Sequence, residues 1–166
     1  SSGRRHHGLL TGDDLARWHA DWEDPIYFDY HGYRVFKTGP WGQGPVLLQQ
    51  LALLTNFDVF GMDPLGSEFV HTVVECSKLA FADREAWYGD PNFTDVPMEV
   101  LLSSSYNDAR SLLVTDVASK ELRPGTARGH ATIPNFGAQG DDLVALGGVG
   151  EPTLGLQGEW PGDTCH

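Results

Sequence analysis

The sequence predicts an α+β fold, mainly helical with a single β-hairpin. Three observations carry that prediction. Two short runs rich in aromatic and β-branched side chains, Ile26 to Tyr30 and Tyr33 to Lys37, flank the dipeptide His31-Gly32. Several longer stretches repeat apolar residues at helical spacing. Beyond Pro124 that period disappears, and ten of the twenty glycines lie between Gly125 and Gly162.

The elements follow in order. Thr11 and Asp14 form a capping pair, which predicts a helix from Gly12 to Trp22, ended by Pro25. His31-Gly32 has the length of a tight hairpin turn between the two short strands. Gly39 to Pro45 is a glycine- and proline-rich loop. Val46 to Phe57 is a strongly apolar helix with Gln49 and Gln50 as its main polar interruption, and such a helix is buried. Ser67 caps the next helix. Phe69, Val70, Val73, Val74 and Ala80 form its apolar stripe, with Glu68, Glu75 and Lys78 off it. Gly89-Asp90-Pro91 breaks that run. A short segment near Met98 to Leu102 precedes a helix from Tyr106 to about Val114, resuming to Leu122. The tail from Gly125 reads as a linker or extended segment rather than a second core.

Composition bounds the function. The chain has 166 residues, 40% of them hydrophobic, enough for one domain with a real core. Its net charge is −12, which argues against general nucleic-acid binding, since that needs a positive surface. No apolar run approaches the length of a membrane span. The N-terminus, Ser1 to His7, lacks the apolar core of a secretory signal, and the sequence assigns no compartment. Cys76 and Cys165 are too few for a disulfide framework, and Cys76 reads as a small buried hydrophobe. The seven histidines show no metal-binding spacing. Trp18, Trp22, Trp41, Trp87 and Trp160 read as core or interface anchors. The Gly39 to Pro45 loop precedes a helix, where backbone N–H groups can hold an anion. It is neither a GxGxxG nor a P-loop, and reads better as a packing loop.

The wording of the helix end is more specific than its physics. Phe81-Ala-Asp-Arg84 is followed by Gly89-Asp-Pro-Asn-Phe93, then Pro97, Leu101-Leu102-Ser103, and Tyr106 with Arg110. Upstream stand Gly8-Leu-Leu-Thr-Gly-Asp-Asp-Leu-Ala-Arg17, Pro25 to Val35, and Pro40-Trp-Gly-Gln-Gly-Pro45. In this order and spacing the chain resembles the gamma-glutamyltranspeptidase family of N-terminal-nucleophile enzymes. Trp41 and Gln43 depart from the serines more usual in that loop. The resemblance implies a fragment of an αββα sandwich hydrolase. Residues 1–124 would be the helical and hairpin portion of the large subunit, 125–163 the tail before a processing site, and 164–166 the start of the small subunit. The implied partners are the small-subunit portion of the same precursor and a gamma-glutamyl or related amide substrate, with no metal or organic cofactor.

The resemblance also singles out Asp163-Thr164-Cys165-His166. In the family the precursor cuts itself before a threonine, and here that residue is Thr164, with Asp163 on the other side of the scissile bond. The chemistry needs a hydroxyl after the bond to be cut, and then a free α-amine on the same residue to act as its base. Cys165 stands where a second threonine is usual and is a rival nucleophile, but register favours Thr164. The family's substrate-gripping arginine lies upstream of the matched region, and the rest of its pocket follows the threonine. The isolated chain is therefore expected to be inactive, and docking to a catalytic subunit is the rival role. The alternative enzyme is a related amide acylase. Asp83 and Arg84 are read as structural residues that hold the helix end and the following turn together.

Overall fold

The computed structural model describes residues 9–127. The chain divides into two compact units, Ser1–Trp22 with Pro152–His166, and Glu23–Glu151. The described residues of the first are 9–22, and those of the second are 23–127.

In the first unit, α1 (Gly12–Arg17) opens with the expected capping box. The Asp14 N–H donates to Thr11 Oγ1 at 3.2 Å, and the Thr11 N–H donates to Asp14 Oδ2 at 2.9 Å. The helix stops five residues short of the predicted Trp22, with Trp18 in an extended conformation. None of its residues is buried. A short helix that buries none of its residues gains little packing to offset the cost of nucleation, so it does not propagate.

The hairpin of the second unit matches the prediction. β1 (Ile26–Tyr30) pairs antiparallel with β2 (Tyr33–Lys37), Tyr30 opposite Tyr33 and Ile26 opposite Lys37. His31 and Gly32 both have positive φ, 47° and 85°. Those signs define the type of two-residue turn whose twist suits the flanking strands. The His31 ring packs edge-on against Tyr30 and Phe60, with centroids 4.4 and 4.6 Å away, which holds a non-glycine residue in this conformation. Ile26, Phe28, Tyr30 and Val35 are partly buried, while Tyr27, Asp29, Arg34 and Phe36 face outward. On that outer face Arg34 forks onto Asp29 at 2.7 and 2.9 Å and lies over the Tyr27 ring.

Three helices and one short turn of helix pack beside the hairpin. α2 (Gly44–Leu54) begins two residues before the predicted Val46, because Pro45 suits a first helical turn, where no N–H is needed. It ends before Phe57 because Thr55 Oγ1 and Asn56 Nδ2 donate to the carbonyls of Ala52 and Leu53. α2 is well buried, as expected, and contacts the hairpin, α3 (Ser67–Trp87) and α5 (Ser104–Ser111). The N-cap of α3 is Gly66, and Ser67 makes no capping bond. α4 (Met98–Leu101) lies where a short segment was predicted. α5 starts earlier than Tyr106 because the Ser103 hydroxyl caps it, accepting from the Tyr106 N–H. It does not resume toward Leu122.

The buried face of α3 departs most from the expectation. Val70 and Val74 of the predicted stripe are about half exposed, at 51% and 47%. The helix buries Ala80 of that stripe together with Thr72, Glu75, Cys76, Leu79, Ala82, Asp83 and Trp87. A hydrophobic stripe cannot report that Glu75 and Asp83 find partners inside, which is what permits their burial. Val46, Leu53, Leu54, Cys76, Leu79 and Ala80 form one core cluster, and Trp87, Leu101 and Ala127 a second. Tyr88 packs against both. Of the predicted tryptophan anchors, Trp87 is buried, whereas Trp18, Trp22 and Trp41 are exposed. Trp160 lies outside the described residues.

Gly32→Ala should destabilise the unit by about 1–2 kcal/mol, because a Cβ is strained at this positive φ. Chemical denaturation would show the loss as a lower midpoint at unchanged slope.

Candidate functional site

Five side chains of α3 project from the helix at intervals of three to five residues, namely His71, Glu75, Lys78, Asp83 and Trp87. Together they hold the irregular segment 113–127 that returns over the helix. His71 Nε2 lies 2.6 Å from the Thr115 carbonyl oxygen. Lys78 donates to the Ser119 carbonyl at 2.5 Å, and the Ser119 N–H donates to Glu75 at 3.4 Å. Arg123 reaches back with one guanidinium nitrogen to Glu75 at 3.2 Å and another to the Leu113 carbonyl at 2.9 Å. At the far end, the Gly125 N–H donates to Asp83 Oδ1 at 2.6 Å, and the Trp87 indole N–H donates to the Gly125 carbonyl at 3.1 Å. Most of these bonds end on backbone groups, so they fix the path of the main chain.

Asp83 is the centre of this arrangement and is fully buried. It accepts from Arg110 at 3.0 Å, from Gln49 Nε2 at 2.6 Å and from the Gly125 amide. Arg110 also donates to the carbonyls of Leu79 and Arg123, at 3.2 and 2.6 Å. One carboxylate therefore joins α2, α3, α5 and the returning segment. Burial pushes the Asp83 carboxyl up from the ordinary range, and Arg110, the Gly125 N–H and Gln49 oppose that rise. The Tyr106 hydroxyl lies beside this node without the alignment of a direct hydrogen bond. A Cβ on Gly125 would run into that hydroxyl and lie 3.0 Å from Arg110 Cδ, so only glycine fits there.

Glu75 forms a second buried ion group, with Lys78 and Arg123. Burial raises its pKa, but the Lys78 bond, the Ser119 N–H and nearby charge outweigh that and hold the carboxyl below its ordinary 4.5. Cys76 is buried and its thiol is pushed up to about 12, first by burial and then by Glu75. It is a protonated core residue rather than a nucleophile, as predicted.

Asp83 is structural, but its charged partner is Arg110 rather than Arg84. Arg84 pairs with Glu85 at 3.1 Å. The Gly39 to Pro45 loop is held by packing and by Trp41 Nε1, which donates to Glu23 at 2.6 Å. It walls a cleft of about 390 Å³ with Arg84, Glu85 and Tyr88. Asp163 and Thr164, the predicted processing pair, lie outside the described residues, as does Cys165. Sequence reasoning missed the node itself. Its only available signals were a glutamine inside an apolar helix and two carboxylates eight residues apart on the next one. Among the described residues, no group of three or more His, Cys, Asp or Glu could hold a metal ion. No described helix is long and apolar enough to cross a membrane.

The backbone fold recurs in solved proteins. The chain is 51% identical to a structure of LmbA2991HD, with a TM-score of 0.71 over 80% of this chain and 22% of that one. Against a cephalosporin acylase from Bacillus halodurans the values are 35% and 0.66, over 72% of this chain and 22% of that one. The α+β arrangement is thus that of one part of a larger transpeptidase or acylase fold, consistent with the sandwich architecture that the sequence resemblance implied. A glutathione hydrolase proenzyme of Escherichia coli (strain K12) is 34% identical over 128 residues, 74% of this chain and 22% of that proenzyme. Residues 2–141 match the family described as Gamma-glutamyltranspeptidase, and the chain belongs to that family. It spans about a fifth of the length of the curated relatives it matches.

Asp83→Asn should cost about 3–5 kcal/mol, because it leaves the Arg110 guanidinium buried without a counter-charge. Hydrogen exchange at residues 113–127 should rise with it. For Glu75 the sign is set by its lowered pKa. Its stabilisation is complete above pH 4.5 and is lost as pH falls through the lower folded value. Asp83, with a raised pKa, acts in the opposite sense, its contribution falling as pH rises above 3.8. Stability measured against pH in Glu75→Gln beside the parent therefore isolates the Glu75 contribution, and the variant should show a shallower loss below pH 4.5.

Proposed function

We propose that this chain belongs to a precursor that processes itself between Asp163 and Thr164 and then hydrolyses or transfers a gamma-glutamyl or related acyl group. The family match over residues 2–141 carries this reading. Thr164 Oγ attacks the carbonyl carbon of Asp163, the peptide bond shifts to an ester, and water hydrolyses the ester. Asp163 keeps the new carboxylate, and Thr164 keeps a free α-amine. That amine has a pKa of roughly 7.7–8, so part of it is neutral near physiological pH and can take the proton from Thr164 Oγ. The hydroxyl oxygen then attacks the substrate's amide carbonyl, the substrate's amine leaves with the proton that the α-amine took, and water or an acceptor amine releases the acyl group. On this reading the other parties are the small-subunit portion that begins at Thr164 and the acyl substrate.

An amide acylase of the same fold is the second reading, favoured by the likeness to the Bacillus halodurans cephalosporin acylase. The role of the buried node around Asp83 is to hold the segment that precedes the processing sequence against the body of the unit.

Intact mass on the precursor, wild type beside Thr164→Ala, tests the proposal. Two fragments from wild type, the second beginning at Thr164, and a single uncut chain from the variant are the expected result. An uncut wild type, or a variant still cut before residue 164, would sink the assignment.

A further inference from the structure

The buried side of α3 carries Thr72, Cys76, Leu79 and Asp83. Shifting that pattern back by two residues gives Val70, Val74, Ser77 and Phe81. Two residues turn a helix by about 200°, so this second set stands on the far side of α3 from the first. Val70 and Val74 are about half exposed there, and Phe81 is 39% exposed. The Ser77 hydroxyl donates to the Val73 carbonyl at 2.8 Å, so it is turned back onto its own helix. Lys78 and Glu75 are committed to the returning segment. A surface helix places charged and polar residues opposite its buried face, whereas a helix with apolar residues on both sides is built to be covered on both. One exposed valine needs no explanation, but an aligned uncharged row about 16 Å long does.

Whatever covers this row must itself be apolar. A second copy of the chain is disfavoured, because each copy carries a net charge of −12 and like charge opposes association. Length points to another source. The chain spans about a fifth of the length of the curated relatives it matches, so most of a molecule of that kind lies outside it. We propose that Val70, Val74 and Phe81 form an internal docking face, covered by an uncharged apolar surface from the part of the same precursor outside these 166 residues. Ser77, the small residue between Val74 and Phe81, leaves a gap for a side chain of the covering element to enter. Arg84 marks the rim of the face. Its guanidinium lies 5.9 Å from the centre of the Phe81 ring and pairs with Glu85. α3 then packs on both sides, with the Asp83 node on one and the rest of the precursor on the other. The inference rests on the chain being part of a longer precursor, and not on the chemistry at Thr164.

The test is thiol labelling of the full precursor carrying Thr164→Ala, which removes the proposed cut, with Val70→Cys or Val74→Cys added singly. Cysteine behaves as a small hydrophobe, so either variant keeps the packing, and near-ultraviolet circular dichroism matched to the parent checks it. The Thr164→Ala parent, labelled in parallel, gives the contribution of Cys76 and Cys165. Each introduced thiol should react with a maleimide at least about tenfold more slowly in the folded precursor than in guanidinium chloride. That protection should not change with protein concentration. Introduced thiols that react as fast in the folded precursor as in denaturant would overturn the inference. So would protection that disappears on dilution, since the covering surface would then belong to a second copy. Cleavage of the wild-type precursor is read separately, so a failure of the processing proposal leaves this result unchanged.

Discussion

The buried pair of Asp83 and Arg110 is the constraint on which the described part of the second unit depends. Each residue comes from a different helix, and each brings a full charge into a place from which water is largely excluded. Such a pair is tolerable only when the remaining hydrogen-bonding capacity is also used. Gln49 from α2, the carbonyl of Leu79 in α3, and the backbone of Arg123 and Gly125 supply much of it. The pair therefore fixes the relative placement of three helices and one irregular segment through bonds with defined directions. Apolar packing alone would leave more freedom in that placement.

The returning segment shows how a stretch without regular structure can still follow a defined path. Its backbone groups cannot pair within a helix or a sheet, so they need other partners. α3 provides them through polar side chains spread along its length, from His71 to Trp87. That requirement explains why α3 buries charge and leaves valines half exposed. The hydrophobic stripe read from the sequence is real, but the face that carries structure is the one next to it. Gly125 completes the arrangement, since a side chain there would displace Tyr106 and open the node.

The relatives matched are several times longer than this chain, and its fold corresponds to one part of theirs. The loop with Trp41 and Gln43 lies between β2 and α2, held in part by the Trp41 to Glu23 bond.

The sequence by itself determined the local elements and the family. The hairpin was legible to the residue because strand propensity, alternation and a two-residue turn are local properties. The capping box of α1 and the existence of α2, α3 and α5 were legible for the same reason. The order of short motifs from Gly8 to Arg110 carried the family, and with it the candidate threonine. Only the tertiary structure decided which face of α3 is buried, that Asp83 answers to Arg110 rather than to its neighbour Arg84, and that Gln49 is part of a polar node. Those outcomes depend on partners 27 and 34 residues away in the chain. The physical reason is that a buried charge is permitted by what surrounds it in space, and periodicity along one helix holds no record of residues contributed by another.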